Sequence, residues 1–222
     1  MKILPFIALL LTIATANAQI PKGEKPDYKT IKKEISDKKS ANYYPELLRR
    51  MRANDTTLTQ ANYRHLYYGQ VFQKDYDPYR VTPKMDELKP FWEMEAIEGT
   101  DRENAIKIAN ASLAEYPFDF RVLDFLIYLH HENGNVEMVK KLGYHYNMLL
   151  DTILLSGDGL TCETGFHVTS VTHEYALLSA LRMQTKSQSL RDNCDYLAFE
   201  EGMYKVDGLY FDVSKLFEMS KF

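Results

Sequence analysis

An apolar segment near the middle of the chain, residues 118–132, most constrains how this protein can fold. Its apolar residues recur at intervals of three and four, the spacing of one face of a helix, and others extend that surface most of the way round. A helix that is apolar on most sides must be covered by neighbouring elements on more than one flank. Pro117 suits its first turn, and Gly134 suits its C-terminal end. The segment therefore predicts a buried central helix.

The first eighteen residues have the pattern of a secretory signal peptide. Lys2 is followed by an apolar stretch over residues 3–14 and by an Ala16-Asn17-Ala18 site for a signal peptidase. We expect cleavage after Ala18 and a periplasmic or secreted product, with an uncleaved N-terminal anchor as the alternative. No later stretch approaches the ~20 apolar residues that a membrane span needs, so no integral span is expected after cleavage.

The composition indicates a folded protein and argues against nucleic acid as a partner. Hydrophobic residues make up 45% of the chain and include 16 Tyr and 11 Phe, enough large apolar side chains to fill a core. The 27 Lys and Arg against 31 Asp and Glu give a net charge of −4. No basic patch of the kind that binds nucleic acid or an anionic membrane surface stands out.

Residues 28–156 predict a helical body that follows a flexible N-terminal segment, residues 19–27. Helices are predicted at residues 28–36, 45–53, 59–72, 88–98, 100–116, 118–132 and 136–155. Asp101 and Asn135, both suited to cap a helix, lie 34 residues apart, which is the period of tetratricopeptide repeats. The usual Trp, Leu, Gly and Tyr pattern of that repeat is absent from the first helix. The prediction is therefore limited to tetratricopeptide-like packing of antiparallel helix pairs.

Residues 157–222 differ in pattern and predict a small α+β module packed on the helical body. Strands are predicted at residues 166–171, 194–199, 203–206 and 209–213, in a three- to four-stranded antiparallel sheet, with helices from His173 and Ser214. Asp207-Gly208 is a strong turn signal between the last two strands. The predicted fold class is mainly α, with this module closing the chain.

The only cysteines, Cys162 and Cys194, allow three interpretations. Export would place them in a compartment where a disulfide between them persists. They could also remain inert thiols, or Cys162 could act as a nucleophile with His167 or His173. The nucleophile hypothesis lacks any recognisable local signature.

The best candidates for catalysis follow the central helices: Asp158, Glu163, His167, His173 and Glu174. These side chains could perform acid–base chemistry if the fold brought them together, as in a hydrolase of the cell envelope. The histidines lack the H-E-x-x-H spacing of zinc hydrolases, and the G-D-G loop lacks the third glycine of a dinucleotide site. We therefore predict no metal site, no cofactor and no specific catalytic residue.

Four tyrosines, Tyr63, Tyr67, Tyr76 and Tyr79, could form a surface that captures a sugar or a peptide. A tyrosine ring is apolar, while its hydroxyl can form a hydrogen bond. The alternative is that these clustered side chains simply cover the core.

Several short motifs point to one family. They are the tyrosine motifs at residues 67–69 and 76–79, S-G-D-G at 156–159, E-T-x-F-x-V at 163–168, S-V-x-H-E-Y at 170–175, S-Q-S-L at 187–190 and L-Y-F-D-V at 209–213. Together they resemble an uncharacterised family of exported proteins from anaerobic Gram-negative bacteria, a domain of unknown function. The resemblance covers nearly all of the chain after cleavage. It implies export, but it supplies no activity and no catalytic residues.

The leading hypothesis is a non-catalytic binding or scaffold protein of the cell envelope, because helical arrays present extended surfaces. Its partner would be an envelope protein, a peptide or a glycan. The candidate binding residues are Tyr67, Tyr76, Tyr79, Asp158, Glu163, His167, His173 and Glu174. The alternative is an envelope hydrolase with its site around the G-D-G loop, His167, His173 and Glu174.

Overall fold

The computed structural model describes residues 23–219, so the expected signal peptide and its cleavage site at Ala18 lie outside the described residues. Within this range the chain forms nine α-helices, a 3-10 turn and four strands. In chain order these are α1 Tyr28–Ser36, α2 Tyr44–Arg52, α3 Gln60–Gly69, the 3-10 turn Gln70–Phe72, α4 Met85–Trp92, α5 Gly99–Glu115, α6 Phe120–Glu132, α7 Val136–Leu154, β1 Phe166–His167, α8 Val171–Ala180, β2 Ser187–Arg191, β3 Cys194–Ala198, β4 Gly208–Asp212 and α9 Ser214–Met219. The mainly helical fold with a small C-terminal α+β part is confirmed.

The central helix α6 forms where the apolar pattern predicts it. Asp119 caps it by accepting a hydrogen bond from the backbone N–H of Val122 at 3.2 Å, so the helix begins at Phe120. Gly134 adopts the left-handed conformation that follows a helix end, with φ +67°. Val122 and Leu126 are fully buried, and α6 packs between α5 and α7. The prediction of a buried central helix is confirmed.

Each helix of the helical body packs against at least one other helix. Helix α3 packs on α1, α2 and α7, and α4 packs on α5. These contacts place successive helices side by side, but they do not distinguish a tetratricopeptide-like repeat from another helical array. The repeat therefore stays a prediction.

Helices α3 and α5 each begin within one residue of the predicted position. The capping box of α3 is formed by Thr59 and Asn62, and the helix begins at Gln60. Helix α5 begins at Gly99, and its N-cap residue Glu98 makes no side-chain capping bond. Both helices exist as predicted, since burial of their apolar faces fixes them more strongly than one cap does.

The described part of the N-terminal segment, residues 23–27, is hydrogen-bonded to the helical body, and its flexibility stays a prediction. Arg64 donates hydrogen bonds to the carbonyl oxygens of Glu24 and Lys25 at 2.8 and 2.6 Å. The backbone N–H of Glu24 donates to the carbonyl of Leu155 at 2.8 Å. These bonds satisfy backbone groups that would otherwise form hydrogen bonds with water.

The sheet has the strand order β1-β4-β3-β2, and its β2–β3 and β3–β4 pairs are antiparallel. The pair β1–β4 is parallel, which corrects the expectation of a fully antiparallel sheet. A parallel pair requires a long crossover, and α8 with the β2–β3 hairpin supplies it. Strand β1 is shorter than predicted because the chain turns at Ser170 to begin α8.

The strand predicted at residues 203–206 does not form, and Ser187–Arg191 forms the edge strand β2 instead. All five residues of β2 are exposed, so no alternation of apolar and polar side chains marks it in the sequence. Tyr204 and Val206 pack against the core from the loop between β3 and β4. Their apolar character reflects that packing, not a strand.

Leu126→Ala should lower the free energy of unfolding by about 2–5 kcal/mol, because it removes a fully buried side chain of α6 and leaves a cavity. Urea unfolding monitored by circular dichroism measures the effect. Lys140→Ala, an exposed change on α7, is the matched control and should alter stability little. Equal stability of both variants would contradict a buried α6.

Cys162 and Cys194 form a disulfide with Cα atoms 5.7 Å apart, which ties the loop before β1 to β3. Their separation of 32 residues predicts a loss on the order of 3 kcal/mol when both are replaced by serine, because the unfolded chain gains freedom. Thermal unfolding of the double variant with and without reductant tests this. A reductant effect on the wild type but not on the variant is expected, and no difference between the proteins would exclude a stabilising bond.

Candidate functional site

A cleft of about 590 Å³ opens between the N-terminal half of α6, helix α8 and the loop that precedes α4. Volumes of this order are typical of small-ligand sites. Its wall combines aromatic rings with two guanidinium and two carboxyl groups. These residues are Tyr79, Tyr116, Phe120, Tyr146 and Tyr175, with Arg80, Arg121, Asp119 and Asp124.

His173 lies in the wall of the cleft and is almost completely buried. Its Nδ1 is 2.8 Å from the hydroxyl of Tyr67, and its Nε2 is 3.1 Å from the hydroxyl of Tyr116. Burial lowers the pKa of His173 to about 3, so the imidazole is neutral at physiological pH. A neutral ring has one donor and one acceptor nitrogen, so one phenol donates to it and the other accepts. Both nitrogens are thus occupied by the protein itself.

The aromatic part of the wall comes from five separate segments of the chain. Tyr79 and Tyr175 are 54% and 43% exposed, so their rings are available to a ligand. Phe120 begins α6 and meets the ring of Tyr146 from α7 edge to face, at 5.5 Å between centroids. Tyr116 lies between α5 and α6 and stacks on His173. The cleft therefore offers both exposed and embedded ring faces.

The charged part of the wall surrounds the first turns of α6. Asp119 is buried as the N-cap, and burial raises its pKa although a side-chain hydrogen bond from Thr82 opposes the shift. Desolvation alone raises the pKa of Asp124. Arg80 lies over the ring of Tyr116 at 5.3 Å, and Arg121 lies over the ring of Trp92 at 3.7 Å. Charges of both signs therefore face one cavity.

Only part of the tyrosine surface expected from the sequence exists. Tyr79 lines the cleft, and Tyr76 lines a neighbouring cavity of about 210 Å³ that also includes Arg80 and Tyr116. Tyr76 donates its hydroxyl hydrogen bond to the carbonyl of Thr169 at 2.8 Å. Tyr63 and Tyr67 are fully buried, so they cover the core and offer no face to a ligand.

The five residues of the hydrolase hypothesis do not meet in one site. His173 lines the cleft, whereas His167 is buried elsewhere, with its Nδ1 3.6 Å from the carboxylate of Asp212. Asp158 is exposed and accepts a hydrogen bond from the backbone of Leu160 at 2.9 Å. Its pKa is lowered, chiefly by a hydrogen bond from the side chain of Thr164.

Glu163 is also exposed and does not line the cleft, and Glu174 is completely buried behind it. The hydrolase hypothesis therefore has no assembled site in this part of the chain. These residues are close in the sequence, but Asp158 and Glu163 lie exposed in the loop before β1, whereas His173 and Glu174 lie on α8.

Glu174 takes part in a polar cluster that the sequence did not reveal. Gln188 donates to the carboxylate of Asp195 at 2.8 Å and lies 3.5 Å from Glu174, while Tyr175 donates to Gln188 at 2.5 Å. Burial raises the pKa of Glu174 to about 9, and the charge of Asp195 and a hydrogen bond with it add to the shift. Glu174 is thus protonated at neutral pH and helps to fix the helix that carries Tyr175.

Sequence reasoning did not select the charged residues of the cleft. A signal for them was present, because Asp119, Arg121 and Asp124 interrupt an otherwise apolar helical segment. Charged residues within a segment that predicts burial deserve a functional explanation as well as a structural one. Arg80, by contrast, lies in a loop, and nothing in its neighbours along the chain marks it.

Two further properties concern the described range alone. None of the helices within residues 23–219 has the length and apolar character needed to cross a membrane. No three His, Cys, Asp or Glu side chains in that range lie close enough together to hold a metal ion.

The fold and the cleft define a mainly helical protein with a ligand-sized, aromatic and charged cavity beside a small mixed sheet. The sequence matches the family described as Domain of unknown function (DUF4919) over residues 29–221, and the chain belongs to that family. No curated protein and no solved structure gives a significant match. The family resemblance is confirmed at this level, while export and bacterial origin stay predictions.

Glu174→Gln should make the protein increasingly stable relative to the wild type as the pH rises from about 5 to 9. The folded state holds the proton up to a pKa of about 9, whereas the unfolded chain releases it near 4.5. Stability of the wild type therefore falls with rising pH in this window, by at most about 1.4 kcal/mol per pH unit for this group. Urea unfolding at several pH values compares the two proteins. Glu163→Gln, which removes an exposed carboxylate, is the charge-matched control, and parallel profiles for all three would refute the buried acid.

Proposed function

We propose that this chain is an exported, non-catalytic binding protein of the cell envelope, and that its ligand occupies the cleft beside α6. The observation that carries the proposal is the composition of the cleft wall, where exposed tyrosine rings and charges of both signs face one cavity. Structural packing alone does not require this arrangement. Ligand sites commonly combine apolar walls with a few polar groups that fix orientation.

The exposed rings are the clearest sign of a ligand surface. Tyr79 and Tyr175 stand on different elements, the loop before α4 and helix α8, yet both line the same cleft. Large, rigid rings give contact area at a low cost in side-chain entropy, which is why tyrosine is common in binding surfaces. Both a peptide and a glycan have apolar faces that such rings can cover.

The state of His173 favours binding over catalysis. A general base needs a free nitrogen within hydrogen-bond reach of the substrate. Both nitrogens of His173 are occupied by Tyr67 and Tyr116, and burial lowers its pKa to about 3. The imidazole therefore acts as a rigid part of the wall that orients Tyr116.

Two features support the proposed location outside the cytoplasm. The N-terminal residues have the signal-peptide pattern, and Cys162 is bonded to Cys194. Disulfides persist mainly in oxidising compartments. A fusion of the chain to a reporter enzyme that is active only after export would test this part of the proposal directly.

Tyr79→Ala should weaken ligand binding at least tenfold while leaving the fold intact, because the ring is 54% exposed and contributes contact area. The ligand would first be sought by thermal-shift screening of the full chain against amino acids, short peptides and oligosaccharides. Isothermal titration calorimetry would then compare the variant with the wild type. Tyr128→Ala is the matched control, since Tyr128 is also exposed but does not line the cleft.

Failure of the whole screen to shift the unfolding temperature would argue against a small-ligand protein. Turnover of a screened compound, abolished by changes in the cleft, would instead establish an enzyme.

A further inference from the structure

Arg121 and Asp124 have opposite charges and lie three residues apart on α6, the spacing at which helical side chains commonly pair. Nevertheless, neither forms an ion pair or a hydrogen bond through its side chain to another residue of the described range. Arg121 instead lies over the ring of Trp92, with its guanidinium carbon 3.7 Å from the ring centroid. Both groups line the cleft with their hydrogen-bonding capacity unused.

One side of the cleft has the chemistry of an ammonium site. Asp124 supplies a carboxylate that forms no ion pair within residues 23–219. Burial raises the pKa of Tyr146, and the nearby charge of Asp124 adds to the shift. The rings of Tyr146 and Phe120 lie beside it, 5.5 Å apart between centroids. A cation is stabilised by aromatic faces and by a carboxylate, and more strongly so where both are partly withdrawn from water.

Another part of the wall has the chemistry of a carboxylate site. Arg121 and Arg80 both line the cleft, and each guanidinium presents a planar set of donors that matches a carboxylate. Besides lying over the ring of Tyr116, Arg80 makes a long contact with Asp75, 3.8 Å between Nη2 and Oδ2, and Asp75 is largely exposed. That pair is weak and leaves the guanidinium available.

The cleft therefore offers an anionic and a cationic subsite within one cavity of about 590 Å³. A neutral glycan would leave the carboxylate of Asp124 and the guanidinium of Arg121 desolvated without a charged hydrogen-bond partner, which costs free energy. A ligand with a free ammonium and a free carboxylate would satisfy both at once. The aromatic rings that line the same cleft would cover an apolar side chain.

We propose that the cleft binds an amino acid or a short peptide with unblocked ends, its ammonium at Asp124 and its carboxylate at Arg121 and Arg80. This inference rests on the proposed function, because it names the ligand class of the same cleft.

The dipeptide alanyl-phenylalanine is the probe, used free, N-acetylated, C-amidated or blocked at both ends, with a neutral disaccharide of N-acetylglucosamine for comparison. Binding to the full chain is measured by calorimetry and by the fluorescence of Trp92, the single tryptophan, whose ring lies under Arg121. The free dipeptide should bind most tightly. Each blocking group should weaken binding at least tenfold, and the doubly blocked peptide should show no binding.

Two variants assign the subsites. Asp124→Asn should weaken binding of the free dipeptide at least tenfold but leave the N-acetylated form unchanged, because that form has no ammonium. Arg121→Gln should weaken the free and N-acetylated forms but not the amide. Lys140→Ala, on the exposed surface of α7, should change none of them. A variant that only destabilised the cleft would weaken the binding of all forms of the dipeptide alike.

Equal binding of free and blocked dipeptides would overturn the inference. Binding of the disaccharide without any binding of the dipeptides would also overturn it, although the proposed binding function would stand. If neither these probes nor the wider ligand screen shows binding, both the inference and the proposed function fail.

Discussion

Helix α6 must bury Val122 and Leu126 while it keeps Arg121 and Asp124 in contact with water. The apolar requirement fixes the helix between α5 and α7, where its inner face fills the core. Because side chains are fixed relative to one another on a helix, this burial also sets the direction of the charged face. The cleft forms where that charged face meets the loop before α4 and helix α8. Its charges are thus held in place by the packing on the opposite side.

Several tyrosine hydroxyls lie in the core, and their hydrogen bonds join the two parts of the chain. Tyr67 bonds to His173, and Tyr68 donates to the carbonyl of His167 at 3.3 Å. Buried hydroxyls without partners are costly, so these bonds specify how the helical body and the C-terminal part fit together. Residues from both parts belong to one hydrophobic core. The change of sequence pattern after residue 156 therefore marks a change of element type within a shared core.

The small sheet supports the wall of the cleft without lining it. Its edge strand β2 carries Gln188, which connects Tyr175 on the rim with Asp195 on β3 and with the buried Glu174. This cluster holds α8 against the sheet, and the disulfide from Cys162 to Cys194 fixes the first residue of β3 to the loop before β1. A ligand in the cleft would therefore contact a wall that is supported by both covalent and hydrogen-bonded connections. Such support is what keeps a binding site in one geometry.

The sequence by itself determined the central helix, the cap of α7 by Asn135 and the mainly helical class, because periodic burial and capping depend on residues within a few positions of one another. It also revealed Cys162 and Cys194 as a candidate pair, without deciding between a bond and free thiols. Only the tertiary structure decided that β2 would form, since its exposed residues have no apolar pattern and pairing with β3 defines it. The cleft depends on tertiary structure for the same reason. Its wall joins residues 79–85, 116–124, 146 and 172–179, and only packing of the whole core brings segments so far apart in the chain to one cavity.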